Sequence, residues 1–330
     1  MIRCFSVVGT VVLTSVFLAW PTPLRGAVSY PAPPSWQPDP QQREHLRRSL
    51  TLLSASTPAD RKTVRVLFYG QSITQQGWWK EVERYLRSTY SNANLIVENR
   101  AIGGHAAQLL VKTAEADLYP FQPDLLIFHV YGSHIEYENI IRRVRERTCA
   151  DILLQTDHLT TDASLTEETD PAKLTPKQWD PWMNHVFLPA TAAKYGACRA
   201  DIHELWKAYL ATNHLKAADL LRDGVHLNPH GEWLMAELLK AYLAPLPLKS
   251  GYDPMNEARV RTAMIEPPAG QRSLRGADWA VPQPTPVGAE DCVTVAQGLR
   301  PGRHVLELRG ADLAKEVLAA RFYSPERVRN

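Results

Sequence analysis

One serine and one aspartate–histidine pair have the types and spacing needed for acyl transfer. Ser72 follows Gly70 and Gln71 directly after an apolar run, and Asp223 stands three residues before His226, just ahead of an apolar helical segment. A serine hydroxyl is a weak nucleophile at neutral pH and needs an imidazole base, which in turn needs a carboxylate to orient it. These residues could therefore supply a nucleophile and both of its partners.

The elements that must position these residues alternate along the chain. Short apolar runs cover residues 64–70, 94–104, 124–132, 150–158 and 196–202, and helical stretches cover residues 78–90, 106–119, 136–148, 181–196 and 227–243. Strands that alternate with helices of this length predict βαβ units. We therefore expect an α/β fold with a doubly wound, mainly parallel, five-stranded sheet.

Ligands of such a sheet bind outside the carboxyl ends of its strands. Polar residues and glycines follow the predicted strands at these ends: Gln71-Ser72, Gly103-Gly104-His105, Tyr131-Gly132-Ser133-His134 and Asp157-His158, with Asp223 and His226 just before the last helix. The polar segment 160–180 has no clear periodicity and is predicted to be a long loop on the same side. All of these residues are expected to meet at one rim of the sheet.

Taken together, Gly70-Gln71-Ser72, Gly103-Gly104, Gly132-Ser133-His134 and Asp223-x-x-His226 resemble the four signature blocks of the SGNH (GDSL-like) hydrolases in order and rough spacing. The resemblance covers about residues 64–245. It implies a flavodoxin-like fold and serine-dependent ester hydrolysis without a cofactor. It also implies that Ser72 is the nucleophile, His226 the base and Asp223 its orienter, with the backbone N–H groups of Ser72 and Gly104 as oxyanion donors.

The sequence departs from the family pattern at two positions. The family usually has an aspartate before the serine, where this chain has Gln71, which can still hydrogen-bond across the turn. The third block of the family is Gly-x-Asn-Asp, and His134 stands in place of the asparagine that donates to the oxyanion. An imidazole N–H can also donate, so His134 is interpreted as a third oxyanion donor, with a substrate-binding or a purely structural role as the alternatives.

Three further residues at the rim are candidates for substrate contact, namely Gln71, Asp157 and His158, with loop capping as the alternative for the last two. His129 is predicted to be a core histidine inside a strand. Trp78 and Trp79 follow the nucleophile turn and are predicted to pack at a helix start, although they could form a wall for sugar stacking.

The chain is predicted to have four parts. Residues 1–27 place Arg3 ahead of an apolar stretch and end in small residues, which is typical of a secretory signal peptide, with an uncleaved anchor as the alternative. Residues 28–63 form an extension with a helix, residues 64–246 the hydrolase domain, and residues 247–330 a β-rich C-terminal module. We expect an exported protein, periplasmic or secreted, that is not stably inserted in a membrane after the signal is removed.

The composition narrows the class of partner. Among 330 residues, 37 Lys and Arg face 35 Asp and Glu without long blocks of either sign, so no nucleic-acid partner is expected. The chain has no H-E-x-x-H or cysteine-pair spacing, and no metal is expected. Cys149 and Cys198 could form one disulfide, the alternative being that these cysteines and Cys292 are small buried hydrophobes.

These observations predict a serine-dependent ester hydrolase that removes O-acyl groups, in particular acetyl, from a carbohydrate. Two alternatives stay open at this point. One is an acylhydrolase for lipids or other small esters, and the other is a non-catalytic carbohydrate-binding protein on a hydrolase fold.

Overall fold

A computed structural model describes residues 29–33, 35–166 and 170–254 of the chain. The predicted signal peptide and nearly all of the predicted β-rich C-terminal module lie outside these residues. Within the described ranges, no helix is both long enough and apolar enough to cross a membrane.

The centre of the fold is a five-stranded parallel sheet with the order β2-β1-β3-β4-β5. The strands are β1 (Thr63–Gly70), β2 (Asn94–Asn99), β3 (Leu125–His129), β4 (Asp151–Gln155) and β5 (Cys198–Ala200). This is the flavodoxin-like order, in which the direction of winding reverses between β1 and β3 and opens a crevice at their carboxyl ends. The fold class predicted from the sequence is confirmed.

Helices cover both faces of the sheet, as the alternation of side chains along β1 requires. Val66 and Phe68 belong to one buried cluster, whereas Leu67 and Tyr69 belong to the other. The α-helices are α1 (Pro40–Glu44), α2 (Arg47–Ser54), α3 (Ser72–Gln75), α4 (Trp78–Thr89), α5 (Ala107–Asp117), α6 (His134–Arg147), α7 (Ala163–Thr166), α8 (Trp179–Trp182), α9 (Leu188–Tyr195), α10 (Ile202–Thr212) and α11 (Pro229–Tyr242). A π-helix, Met183–Phe187, joins α8 to α9.

The structure differs from the sequence-based elements in several places, and strand β2 ends at Asn99, five residues before the predicted end. Strand β3 ends at His129, three residues before the predicted end, because the chain turns there to bring Gly132 into a left-handed conformation with φ of 102°. Helix α10 was not among the predicted helices. The predicted loop 160–180 contains α7 and a 3₁₀ turn, Pro171–Lys173.

The N-terminal extension is part of the same core as the sheet. Leu50 on α2 is fully buried in the cluster that contains Val66. Arg48, also on α2, forms a buried ion pair of 2.9 Å with Asp124, and the Ser49 hydroxyl donates to the backbone oxygen of Asp124. Because Asp124 directly precedes β3, these contacts attach the extension to the start of a central strand.

The two cysteines within the described residues do not form a disulfide. Cys149 and Cys198 are both present as thiols that are not joined to each other. Burial raises the pKa of the Cys198 thiol far above its usual range, so Cys198 behaves as the small buried hydrophobe of the alternative interpretation. Cys292 lies outside the described residues.

Candidate active site

The residues predicted as nucleophile, base and orienter are joined by hydrogen bonds at the carboxyl ends of the strands. Oγ of Ser72 lies 2.9 Å from Nε2 of His226, and Nδ1 of His226 lies 3.0 Å from both carboxylate oxygens of Asp223. A carboxylate at Nδ1 fixes the imidazole tautomer with its lone pair on Nε2. His226 is therefore oriented to accept the Ser72 proton.

Asp223 also organises the loop that carries His226. Its Oδ1 accepts hydrogen bonds from the backbone N–H groups of His226, at 2.8 Å, and Val225, at 3.3 Å. The His226 backbone N–H is the main cause that holds the pKa of Asp223 well below its usual range. One carboxylate thus fixes both the backbone and the ring of the candidate base, and it stays ionised at neutral pH.

Gln76 connects the turn that carries Ser72, the nucleophile turn, to the loop that carries Asp223 and His226, the base loop. Its Nε2 donates to the backbone oxygen of Leu227 at 2.8 Å, and its Oε1 accepts from the backbone N–H of Leu227 at 3.0 Å. Gln76 lies four residues after Ser72, and Leu227 directly follows His226. This two-way contact brings the two reacting side chains together.

Two backbone N–H groups beside Ser72 have no acceptor among the described residues. They belong to Ser72 itself, at the first position of α3, and to Gly104, which has a φ of 75° and lines the same cavity as Ser72. A Cβ on the neighbouring Gly103 would lie 3.9 Å from Cβ of Ser72, which places this loop against the nucleophile. Unpaired N–H groups in such a position can stabilise negative charge on an oxygen.

His134 is placed differently from the predicted third oxyanion donor. It is the first residue of α6, and its ring packs edge-on against the rings of Trp182, at 5.0 Å, and Phe187, at 5.7 Å. It is not among the residues that line the cavity around Ser72. This position favours the structural role that was one of the alternatives for His134.

The cavity around Ser72 has a volume of about 580 Å³. Tyr131, Trp179 and Asp180 line it, and none of these was a predicted site residue. The Trp179 indole N–H donates to the backbone oxygen of Gly132 at 2.9 Å, which fixes the ring at the cavity wall. Thr160, Trp179 and Asp180, at the two ends of the predicted loop 160–180, thus lie on the ligand side, as expected.

The predicted sugar-stacking alternative for Trp78 is wrong. Trp78 is fully buried, and its indole N–H donates to the backbone oxygen of Ile73 at 2.6 Å. Trp79 packs against Phe68 with a ring separation of 5.9 Å. Both tryptophans pack at the start of α4, and the aromatic side chains at the cavity come from elsewhere in the chain.

All three residues predicted for substrate contact line the cavity, and each of them also forms a hydrogen bond within the protein. Gln71 is 3% exposed and accepts from the Ile73 backbone N–H at 2.9 Å. Asp157 accepts from His129 at 2.5 Å. Burial by itself would raise the pKa of Asp157, but the hydrogen bond that it accepts from His129 acts in the opposite direction, and the net result is a lowered pKa.

His129 is a site residue that the sequence interpretation assigned to the core. It is buried as expected, but it is the last residue of β3, lies opposite Gly70 in the sheet register and lines the cavity. Its nitrogens contact Gln71 and Asp157. The sequence analysis predicted that this strand continues to residue 132. Had it predicted the end at residue 129, it would have placed His129 at the rim.

His158 holds the base loop by a hydrogen bond to its backbone. Its Nε2 lies 2.8 Å from the backbone oxygen of Val225, to which it donates as a neutral imidazole. Burial is the main cause that lowers the pKa of His158 to about 4, with the hydrogen bond to Val225 acting in the opposite direction. His158 therefore stays neutral in the folded protein at pH values where an exposed histidine is charged.

We expect this burial to make the protein less stable in mild acid. The unfolded chain takes up a proton near pH 6.5, whereas folded His158 does so only near pH 4, so stability is lost as the pH falls between these values. The loss at pH 4 is about 3 kcal/mol in the free energy of unfolding. Urea unfolding at pH 7.5 and 4.5 should show a smaller loss for His158→Gln, which keeps a donor for Val225 but does not titrate. Equal losses in both proteins would contradict the prediction.

One group of potential metal ligands occurs within the described part of the chain. His185, His203 and Glu204 bring ligand atoms within 4.8 Å of one another, and Nδ1 of His203 lies 3.2 Å from the backbone oxygen of Asp157. None of these three residues was singled out from the sequence. The expected absence of a metal stays a prediction.

No family model matches the sequence, and a search of the curated proteins finds no match. The fold is similar to several solved structures. A candidate GDSL-like lipase from Parabacteroides merdae is 19% identical, with 55% of this chain and 96% of that chain covered and a TM-score of 0.45. An acetylxylan esterase from Geobacillus stearothermophilus is 17% identical, with 58% and 95% covered and a TM-score of 0.45.

A two-domain esterase active on acetylated mannans is 19% identical, with 60% of this chain and 52% of that chain covered and a TM-score of 0.46. The likeness of this chain to these three structures concerns the fold alone.

Proposed function

We propose that the protein is a serine-dependent carboxylic ester hydrolase that removes acyl groups, in particular acetyl, from the hydroxyls of a carbohydrate. One observation carries the proposal. The Ser72 hydroxyl, the His226 imidazole and the Asp223 carboxylate are joined in that order by hydrogen bonds of about 3 Å at an open cavity.

The geometry supports the following reaction. Oγ of Ser72 attacks the acyl carbon while Nε2 of His226 takes the hydroxyl proton, and the N–H groups of Ser72 and Gly104 bind the oxyanion. The intermediate collapses when the bond to the alcohol oxygen breaks, and that oxygen takes the proton from His226. Water then attacks the acyl-serine and gives a proton to His226, which returns it to Oγ as the carboxylic acid leaves.

The character of the cavity supports a carbohydrate. Tyr131, which is 40% exposed, and Trp179 offer aromatic surface beside Ser72. Asp180 and Thr160 add groups that accept hydrogen bonds from hydroxyls. A sugar ring has apolar faces and a polar edge, and this combination of aromatic and polar side chains suits both. We also propose a location outside the cytoplasm, because residues 1–27 have the sequence pattern of a signal peptide.

A fluorophosphonate probe tests the serine directly, since an activated serine is labelled and an ordinary hydroxyl is not. We expect labelling of the protein, with the adduct on Ser72 in a peptide map. Absence of labelling would favour the non-catalytic carbohydrate-binding alternative. A panel of acetylated xylo- and mannooligosaccharides, set against p-nitrophenyl esters of increasing acyl length, then tests the substrate. Higher kcat/KM for octanoyl or longer esters would favour a lipid or other small-ester acylhydrolase.

A further inference from the structure

Gln71, His129 and Asp157 form a row of hydrogen-bonded side chains beside Ser72 in the cavity wall, and the proposed reaction does not use this row. Oε1 of Gln71 lies 2.8 Å from Oγ of Ser72 and accepts from the backbone N–H of Ile73. On its other side, Nε2 of Gln71 lies 3.2 Å from Nδ1 of His129, and Nε2 of His129 lies 2.5 Å from Oδ1 of Asp157.

The hydrogen-bond roles along this row follow from its two ends. The Ile73 N–H is a fixed donor, so the side of Gln71 that faces it must be the amide oxygen, and the NH₂ group must face His129. The carboxylate of Asp157 can only accept, so His129 carries its proton on Nε2. The NH₂ group of Gln71 can only donate, so Nδ1 of His129 is unprotonated and accepts from it.

Asp157 is itself held in place. Its backbone N–H donates to Oδ1 of the buried Asn184 at 2.9 Å, and its backbone oxygen contacts Nδ1 of His203 at 3.2 Å. The carboxylate is thus presented to His129 from a fixed backbone. The orientation of the Gln71 amide is therefore set by His129 and Asp157 as well as by the Ile73 N–H.

The orientation of this amide affects the nucleophile. With its oxygen toward Ser72, Gln71 accepts the hydroxyl hydrogen of Ser72 in the resting state, and the same hydrogen turns to Nε2 of His226 for the reaction. No amide N–H then engages the lone pairs of Oγ, which stay available for attack. A flipped amide would direct an N–H at Oγ, engage a lone pair of the attacking atom and oppose the N–H of Ile73. Two donors at this distance repel each other, and a buried unpaired donor is costly.

We propose that Asp157 and His129 are positioning residues for the nucleophile, which hold the Gln71 amide with its oxygen toward Ser72. This role rests on the proposed ester hydrolysis and adds to it a part for two residues outside the triad. Neither residue exchanges a proton with the substrate.

A pair of substitutions of the same shape tests the role of His129. In His129→Asn, an amide oxygen can replace Nδ1 as the acceptor for Gln71, whereas His129→Leu places a methyl group there. We expect His129→Leu to lower kcat tenfold to a hundredfold with KM changed less than about twofold, and His129→Asn to stay within about fivefold of the wild type. Asp170→Asn, on the exposed polar segment, is the control and should match the wild type.

The rate of fluorophosphonate labelling separates this proposal from the proposed function. Labelling of Ser72 in the wild type, slowed in His129→Leu and largely restored in His129→Asn, supports the positioning role. Equal labelling rates and equal kcat in both variants would overturn it while leaving the ester hydrolase intact. An unlabelled wild-type protein would instead remove the proposed function itself.

Nitrogen NMR of the histidine ring gives a second result that needs no substrate. We expect His129 to be the neutral Nε2–H tautomer in the wild type, with a strongly downfield Nε2 proton that disappears in Asp157→Ala and is unchanged in Asp170→Asn. A His129 ring protonated on Nδ1 in the wild type would overturn the proposal, because it could not accept from Gln71.

Discussion

Replacing Ser72 or His226 by alanine should lower turnover of acetyl esters by at least about a thousandfold. The two side chains act as one unit, since the Ser72 hydroxyl is activated only while Nε2 of His226 can take its proton across 2.9 Å. Removing either partner should therefore cost nearly as much as removing both. The measurement is kcat for each single variant and for the double variant on an acetylated sugar.

The fold should survive these changes. Ser72 and His226 are only partly buried, so thermal unfolding of the variants should lie within a few degrees of the wild type. Ser72→Ala with undiminished ester hydrolysis would remove the serine-esterase interpretation. A double variant with a loss equal to the product of the two single losses would show that the residues act independently.

Gly70→Ala should be among the most destabilising single substitutions in the sheet. A Cβ at this position would lie 2.1 Å from the backbone oxygen of His129 and 2.6 Å from Oγ1 of Thr74. The backbone oxygen belongs to the neighbouring strand and cannot move unless β1 and β3 separate at their paired ends. We expect a loss of about 3 kcal/mol or more in the free energy of unfolding, measured by urea denaturation.

Gly77→Ala is the matched control for this prediction. Its Cβ would meet only Oε2 of Glu232, at 2.7 Å, and the end of a long side chain can rotate away. We expect a change below about 1 kcal/mol. Similar free energies of unfolding for the two variants would contradict the prediction. They would mean that β1 and β3 can move apart at their carboxyl ends at little cost.

The architecture of this protein was largely predictable because its pattern is local. Five apolar runs alternate with helical stretches, and each run became a strand of the parallel sheet. Helix α10 was missed because only one residue, Asp201, separates it from the three-residue strand β5. The attachment of α2 to the sheet depends on Arg48 and Asp124, which lie 76 residues apart, and no short window of sequence contains both.

The candidate site was predictable to the extent that its motifs follow strand ends. The spacing of Asp223 and His226 and the position of Ser72 after β1 were sufficient to predict their meeting. Tyr131 was expected at the rim but not as a site residue, and Trp179 was not predicted there, because a tryptophan in a polar segment carries no mark of which cavity it will line. His134 was assigned to the oxyanion by its place in a motif, but its ring packs with Trp182 and Phe187, whose position depends on the π-helix.

The two-way contact between Gln76 and the backbone of Leu227 has a mechanical consequence. The contact joins the residue that follows α3 to the base loop by two hydrogen bonds, and neither Gln76 nor Leu227 lines the cavity. We therefore expect a change in the shape of the cavity wall to leave these two bonds in place, and with them the 2.9 Å distance between Oγ of Ser72 and Nε2 of His226.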